Sequence, residues 1–214
     1  DTYYDNILFY NYPSGIEIER NASELYNKIQ FQNPIKVRFD IVAHSMGGLV
    51  ARCLIERCYL PDDYKTTDKF KVDVERLFMV GTPNFGSPIE LFIESYSILK
   101  DIMNDYPGAL ELSPISRFMA KLNLSSRGSS KKVIAARGST EYYWFTGDYS
   151  DSDLCSTKRK DDVVCVPSPA DVAYLGLDKT NADTVYATDH SSLHTQCKVN
   201  SVCNKIRNVL RATL

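Results

Sequence analysis

A serine stands where an apolar segment gives way to a helical one. The sequence VRFDIVAHSMGGLVARCLIE covers residues 37–56, and Ser45 follows a predicted buried strand and precedes a predicted helix. Ala43 and Gly47 flank it at a spacing of two, where a sharp strand-to-helix turn leaves no room for bulky side chains. Gly48 then lets the helix lie close to a strand. A turn of this kind exposes a serine hydroxyl as a nucleophile.

The alternative role for Ser45 is that of an ordinary helix N-cap. Its position after a buried strand, beside His44 and the double glycine, favours the nucleophile instead. The backbone N–H of Met46 opens the helix, where it can point at a developing oxyanion, and the helix dipole adds to the stabilisation of that charge. We therefore predict Met46 as a donor of an oxyanion hole.

A serine hydroxyl needs a general base, and the chain has three histidines. His44 precedes Ser45 in the predicted strand, so its side chain is expected to point away from the face of Ser45. His190 follows the last predicted strand, at the sheet edge where such folds place ligand sites. His194 starts the run into the final helix. His190 is the predicted base, and His194 is the alternative.

A carboxylate must orient the histidine and stabilise its charged form. It is expected in a loop before His190, where the candidates are Asp148, Asp151, Asp153, Asp161, Asp162 and Asp171. The stretch KDDVVCVPSPA favours Asp161, with Asp162 as the alternative, because the valines that follow tether this loop. Ser45, Asp161 and His190 then follow the chain order nucleophile, acid, base of the α/β-hydrolase triad.

The elements that would position these residues alternate along the chain. Strands are predicted at 6–13, 36–45, 74–83, 131–139 and, more weakly, 183–190; helices are predicted at 21–30, 46–58 and 198–214. Near-continuous apolar strands separated by helices are typical of a parallel sheet covered on both faces. The expected fold class is α/β, with a mostly parallel sheet in a single domain over residues 1–214.

Residues 84–130 interrupt this alternation with two helix-like stretches and are predicted to form a cap or lid insertion. The insertion follows the strand after the serine, so it is expected to cover the carboxyl edge of the sheet. The predicted lining residues for an acyl chain are Leu91, Phe92, Leu99, Met103, Phe118 and Met119. The alternative is a helical cap whose apolar side chains pack on the core.

Composition argues against several other functions. The net charge is −2, with 25 Lys and Arg against 27 Asp and Glu, which does not favour nucleic-acid binding. No apolar run reaches the roughly 20 residues of a membrane helix. Three histidines and the absence of a C-x-x-C pair give no reason to expect a metal or another cofactor.

Six cysteines and two sequons bear on the cellular location. The spacing suits disulfides between Cys155 and Cys165 and between Cys197 and Cys203, whereas the alternative is six free or buried thiols. Asn-x-Ser triplets at Asn21 and Asn123 permit glycosylation in a secretory setting. Together these features favour an extracellular, secretory or periplasmic protein.

Four motifs resemble those of lipases of the α/β-hydrolase type. DIVAHSMGGLVAR resembles the elbow of bacterial lipases and of the GPI inositol-deacylase and lecithin–cholesterol acyltransferase groups. VGTPNFGSP resembles their Gly-Thr-Pro-x-x-Gly-Ser segment, ALELSPISRFMAKLN their lid-region motif and HSSL their catalytic-histidine motif. DDVV stands where they carry Asp-Gly-Val-Val, so Asp161 matches the catalytic acid and Asp162 replaces the usual glycine. The resemblance spans most of residues 6–212.

The resemblance also exposes a difference. Those enzymes carry an earlier strand that ends in a His-Gly loop, which supplies the second oxyanion donor. No such loop precedes Ser45 here, and residues 1–13 resemble the strand that follows it. We therefore expect an N-terminally incomplete hydrolase domain, completed by a separate N-terminal segment or chain. The alternative is a truncated or degraded protein.

The function that the resemblance implies is hydrolysis of lipid or other acyl esters through an acyl-enzyme, with transient contact to a lipid interface. An acyltransferase on the same triad is the first alternative. A non-catalytic binding protein with a hydrolase fold is the second.

Overall fold

The computed structural model describes residues 4–32, 37–61, 64–65, 69, 71–87, 107–124, 138–151, 157–160, 163–167, 169–177, 181–186, 188–189, 191–193 and 201–212. In chain order the elements are α1 (Ile18–Gln32), β1 (Arg38–His44), α2 (Met46–Glu56), β2 (Asp73–Val80), α3 (Pro107–Glu111), α4 (Arg117–Leu124), β3 (Glu141–Asp148), β4 (Ser150–Asp151), β5 (Arg159–Lys160), α5 (Pro169–Tyr174), β6 (Ala182–Tyr186) and α6 (Val202–Ala212).

Four strands form a parallel sheet in the order β1–β2–β3–β6, as the alternation of strands and helices predicts. The register pairs His44 with Val80 and Val80 with Phe145, so β1 and β2 end at the same level and β3 continues for three more residues beside β6. β4 and β5 form a short antiparallel pair directly after β3. The carboxyl ends of all four parallel strands therefore lie along one edge.

Helices cover both faces of this sheet. The larger apolar cluster packs α1, α2 and α4 against one face, with Leu49, Leu54 and Leu77 completely buried. The smaller cluster covers the other face, where Phe78 and Phe145 meet Val202 of α6. This two-sided burial is the α/β arrangement that the sequence predicts.

Two predicted strands differ from the structure. Residues 6–13 are not a strand, and the side chains of Ile7 and Phe9 are 77% and 89% exposed. Most of the predicted strand 131–139 lies outside the described residues, and its end at 138–139 is a turn. β3 lies beyond the predicted range and was not predicted. An apolar run becomes a strand when a neighbouring strand forms hydrogen bonds with its backbone N–H and C=O groups. The local sequence pattern does not show whether such a neighbour exists.

β1 is also more exposed than a continuous apolar run predicts. It is the end strand of the described sheet, and Val42 is 60% exposed. Its register partner Phe78 is completely buried in β2. The expectation of a fully buried strand thus holds for β2 and is wrong for β1, because β1 has one described neighbour and α6 packs over the strands beyond it.

A disulfide joins Cys53 and Cys58, whose Cα atoms lie 4.9 Å apart. The pair brackets the C-terminus of α2, where Arg57 adopts a left-handed conformation with φ 56° and ends the helix. Cys165 and Cys203 are also disulfide-bonded. Their expected partners, Cys155 and Cys197, lie outside the described residues. Of the two alternatives that the sequence left open, disulfides or free thiols, the structure shows disulfides, and the described pair is one that sequence reasoning did not single out.

Both sequon asparagines are buried, at 0% exposed for Asn21 and 6% for Asn123. The amide nitrogen of Asn21 donates to the carbonyl of Pro13 at 3.1 Å. That of Asn123 donates to the carbonyl of Asn84 at 2.6 Å. Neither nitrogen is available to a glycan in the folded chain, so these triplets do not support a secretory location.

The described part of the predicted insertion consists of residues 84–87 and 107–124, which include α3 and α4. The first predicted helix of the insertion lies outside the described residues. Across the part of the chain that the structure describes, no helix combines the length and apolar character that crossing a membrane requires.

Candidate active site

Ser45 occupies a strained turn between β1 and α2. Its backbone has φ 53° and ψ −130°, a conformation that side-chain-bearing residues rarely adopt. Its N–H donates to the carbonyl of Val80 at 2.8 Å, and its carbonyl accepts from the N–H of Gly48 at 3.0 Å. The Ser45 side chain makes no capping hydrogen bond to α2, so the N-cap alternative is not observed. Strain held in place by a neighbouring strand is typical of a functional position.

The tightest contact behind this turn is at Gly48. A Cβ atom added there would lie 2.0 Å from Oγ1 of Thr82, which is completely buried in the loop after β2. At Gly47 the nearest atom to an added Cβ would be the Tyr12 hydroxyl at 3.3 Å, followed by Cβ of Ala43 at 3.8 Å. The steric demand that the sequence assigns to Ala43 and Gly47 therefore falls mainly on Gly48, where α2 meets the loop after β2.

We expect Gly48→Ala to lower the free energy of unfolding by about 2–3 kcal/mol, since overpacking a dense site forces backbone shifts. The loss must exceed the roughly 1 kcal/mol that alanine gains over glycine within a helix. Urea unfolding followed by circular dichroism measures it, with Gly47→Ala as the matched control, expected to stay within about 1 kcal/mol of wild type. Adding Thr82→Gly to Gly48→Ala should recover part of the loss. Equal midpoints for the two alanine variants would contradict the contact.

The loops after the four parallel strands meet at the edge that carries Ser45. Ser87, after β2, is completely buried, and its hydroxyl donates to the carbonyl of Val163 at 2.5 Å. The N–H of Tyr149, directly after β3, donates to the carbonyl of Lys160 at 2.9 Å. Asp161 and Asp162 lie outside the described residues, but their sequence neighbours Lys160 and Val163 are thus fixed to the loops after β3 and β2.

A compact turn follows β6. The Asp189 carboxylate accepts from the hydroxyls of Ser191 at 2.6 Å and Ser192 at 2.8 Å, and from the N–H of Ser192 at 3.0 Å. Leu193 is 2% exposed and anchors the turn in the smaller apolar cluster. His190 and His194 lie outside the described residues. The residues that flank His190 in sequence form this anchored turn.

The same hydrogen bonds lower the pKa of Asp189 from 3.8 to about 2, with Ser191 the largest cause and Ser192 next. Because the folded pKa is depressed, the stabilisation is complete above pH 3.8 and is lost as the pH falls through 2. Carbon-detected NMR of the carboxyl should find its midpoint near 2. Combining Ser191→Ala with Ser192→Ala should move the midpoint back towards 3.8. An unchanged midpoint in that double variant would rule out this cause.

Some of the other predicted site residues are described by the structure and some are not. Met46 is the first residue of α2 and is 9% exposed. Phe118 and Met119 are 4% and 2% exposed and belong to the larger core cluster, as expected of a cap helix packed on the core. The remaining predicted lining residues, Leu91, Phe92, Leu99 and Met103, lie outside the described residues. A role for any of the six in acyl-chain binding stays a prediction.

Sequence reasoning missed a buried polar network next to the site. Arg52 of α2 is completely buried, and its Nε donates to Glu56 Oε1 at 2.9 Å. Its Nη1 donates to Asn84 at 2.9 Å and its Nη2 to Asn123 at 3.1 Å. The available signal was an Arg and a Glu four residues apart inside an apolar helix. The described residues contain no group of three or more His, Cys, Asp or Glu that could hold a metal ion.

Comparison with known proteins bears on the fold. The family model described as Domain of unknown function (DUF7379) matches residues 1–91. No curated protein matches this sequence.

Among solved structures, the mature form of the Bacillus licheniformis lipase BlEst2 is 18% identical with a TM-score of 0.55, over 91% of this chain and 74% of that one. Its propeptide form has a TM-score of 0.59 at 18% identity, and this chain spans 40% of it while 91% of this chain is covered. A structure from a study of carboxylesterases of Nitrososphaera gargenis is 10% identical, with a TM-score of 0.51 over 94% of this chain and 75% of that one.

The parallel sheet flanked by helices and the similarity to these structures agree with each other. The strand-to-helix turn of Ser45 also lies at the sheet edge where this architecture builds its sites. The chain therefore has the α/β-hydrolase fold.

Proposed function

We propose that the protein is a serine carboxylic-ester hydrolase of the lipase or esterase type, with Ser45 as the nucleophile. The observation that carries the proposal is the Ser45 turn. Its positive φ is held by a hydrogen bond to β2, and its hydroxyl is not spent on capping α2. This combination suits a side chain that must project from the sheet edge towards a substrate.

In the proposed mechanism, Oγ of Ser45 attacks the acyl carbonyl carbon while His190 accepts the hydroxyl proton. The N–H of Met46 donates to the oxyanion of the tetrahedral intermediate, and the dipole of α2 adds to this stabilisation. The C–O bond then breaks, and His190 returns the proton to the departing alcohol. Water attacks the acyl-enzyme as His190 accepts its proton, and His190 returns that proton to Oγ of Ser45 when the acyl–Oγ bond breaks, which releases the acid and the free serine.

Asp161 is the proposed orienting acid, with Asp162 as its alternative, and His194 is the alternative base. Two described contacts support these assignments. The Ser87–Val163 hydrogen bond holds the chain directly after Asp162 against the loop that follows β2. The Asp189 turn holds both sequence neighbours of His190 at the carboxyl end of β6.

The proposed substrates are esters with apolar acyl groups, because apolar residues recur at helix-like spacing in the sequence that follows β2. We also propose an extracellular, secretory or periplasmic location, which the Cys53–Cys58 disulfide supports. Three consecutive exposed apolar side chains, Ile7, Leu8 and Phe9, support the proposed transient contact with a lipid interface. They equally suit contact with another polypeptide segment or chain.

The test uses p-nitrophenyl esters from acetate to palmitate, together with a fluorophosphonate probe and peptide mapping. The expected results are ester turnover and covalent labelling of Ser45. Labelling requires an activated serine, so a folded protein with neither turnover nor label would identify a non-catalytic hydrolase-fold protein and overturn the proposal. Product analysis with an added alcohol distinguishes hydrolysis from acyl transfer, which would appear as a new ester.

A further inference from the structure

We propose that Arg52 is a positioning residue that clamps both ends of the segment between Asn84 and Asn123 onto the helix that carries Ser45. The functional part of this inference rests on the proposed ester hydrolysis. Arg52 lies on α2, Asn84 in the loop after β2 and Asn123 near the end of α4. The two asparagines are 39 residues apart in sequence, and the guanidinium binds both.

Three hydrogen bonds close this clamp. Nη1 of Arg52 donates to Oδ1 of Asn84 at 2.9 Å, and Nη2 donates to Oδ1 of Asn123 at 3.1 Å. Nδ2 of Asn123 donates to the carbonyl of Asn84 at 2.6 Å, so the asparagines also hold each other. Arg52 and Asn84 are both 0% exposed. Water does not compete for these contacts, which makes each of them stronger than a surface hydrogen bond.

The guanidinium is itself held from the opposite side. Glu56, one turn along α2, accepts from Nε at 2.9 Å and from Nη2 at 3.3 Å. The hydroxyl of Tyr142, from β3, donates to the same carboxylate at 3.0 Å. Because the guanidinium is planar and rigid, fixing one edge on Glu56 fixes the directions in which its other N–H groups point. Those directions are towards Asn84 and Asn123.

The clamped loop continues to the predicted acid. Three residues after Asn84, Ser87 donates from its N–H to the carbonyl of Leu112 at 2.9 Å and from its hydroxyl to that of Val163 at 2.5 Å. Between them, a Cβ on Gly86 would lie 2.6 Å from the backbone of Pro114, so the two ends of the segment also pack closely. A chain of direct contacts therefore runs from α2 through Asn84 and Ser87 to Val163, which follows Asp161 and Asp162.

This path predicts a catalytic consequence. If the clamp loosens, Val163 and the residues before it shift relative to Ser45. A misplacement of about 1 Å costs on the order of 10²-fold in rate, whereas substrate binding at other contacts is unaffected. The expected signature is a lower kcat with a nearly constant KM.

Asn84→Ala and Thr140→Val form a matched pair for the test. Each removes one buried side-chain hydrogen bond, the first to the Arg52 guanidinium and the second to the carbonyl of Val74, outside the clamp. We expect similar shifts in melting temperature. With competent enzyme counted by fluorophosphonate titration, Asn84→Ala should lower kcat about 10- to 100-fold with KM within about 2-fold, while Thr140→Val stays within about 2-fold of wild type.

Amide hydrogen exchange gives a readout that needs no activity. Asn84→Ala should lose protection in residues 82–87 and 117–124 and keep it in β2 and β3, whereas Thr140→Val should leave the first two segments protected. Equal exchange patterns in the two variants, or a kcat that falls in both in proportion to stability, would overturn the clamp. If the wild-type protein hydrolyses no ester, the proposed function fails, and the exchange comparison still decides the clamp.

Discussion

Replacing Ser45 with alanine is expected to lower kcat for p-nitrophenyl esters by about 10⁶-fold, the order of loss that removal of a catalytic serine produces. The reason is that no acyl-enzyme can form without the Oγ atom. Alanine keeps the backbone requirements of the turn, so the hydrogen bond from residue 45 to the Val80 carbonyl should persist and the urea midpoint should stay near that of wild type. Fluorophosphonate labelling of the protein should disappear together with turnover.

Ser14→Ala provides the control for this variant, since Ser14 is an exposed serine outside the strand-to-helix turn. Its turnover and labelling are expected to match wild type. Retention of more than a tenth of the turnover in Ser45→Ala would assign the nucleophile elsewhere. Retained labelling at another residue would identify where.

Arg52→Met is expected to lower the free energy of unfolding by about 3–5 kcal/mol, as breaking a buried ion pair leaves the partner charge uncompensated. The charge left without its partner is that of Glu56, which is 8% exposed. The Oδ1 atoms of Asn84 and Asn123 also lose the N–H donors of Arg52. The loss is a large share of the 5–15 kcal/mol that stabilises a typical domain. Urea unfolding monitored by tryptophan fluorescence measures it, because Trp144 lies in the core cluster.

The chain supplies a matched comparison in Arg20→Met. Arg20 and Glu24 form a pair of the same residue types at the same helical spacing, but their side chains are 65% and 42% exposed. Water screens that pair, so its loss should cost less than about 1 kcal/mol. Substituting Arg52 and Glu56 together by apolar residues should cost less than Arg52→Met, because no isolated charge then remains. Equal midpoints for Arg52→Met and Arg20→Met would refute the difference that burial makes.

Local pattern was sufficient for the turn that carries Ser45. The strand before it, the helix after it and the neighbouring strand β2 all lie close to their predicted positions, since an apolar run, a sharp turn and a helical period are encoded within about twenty residues. The parallel order of the sheet followed from the alternation of strands and helices.

Features that depend on distant partners were not predicted. β3 was not predicted, although YYWF is an apolar run, because the strand forms where Trp144 and Phe145 meet β2. The Cys53–Cys58 pairing depends on where α2 ends, which Arg57 decides through its left-handed backbone. Asn123 reads as a surface sequon until the fold brings Arg52 and Asn84 beside it.

For the site itself, residue chemistry suggested the acid and the base, and their positions stay predictions. Asp161 and His190 were chosen from chain order and neighbouring residues, whereas relative placement depends on loops that no periodicity governs. The structure adds the contacts that hold the neighbours of these residues, at Val163 and at Asp189.

Because the side-chain amides of Asn21 and Asn123 are buried, glycosylation at either triplet would report on the order of glycosylation and folding. An oligosaccharide can be attached to either nitrogen only while the chain is still open, because folding commits both to internal carbonyls. A chain glycosylated at Asn123 would carry a sugar where α4 docks beside Arg52 and would be unable to complete that contact. In a eukaryotic secretory pathway, the fraction of molecules that carry a glycan at these sites would therefore equal the fraction that was glycosylated before folding.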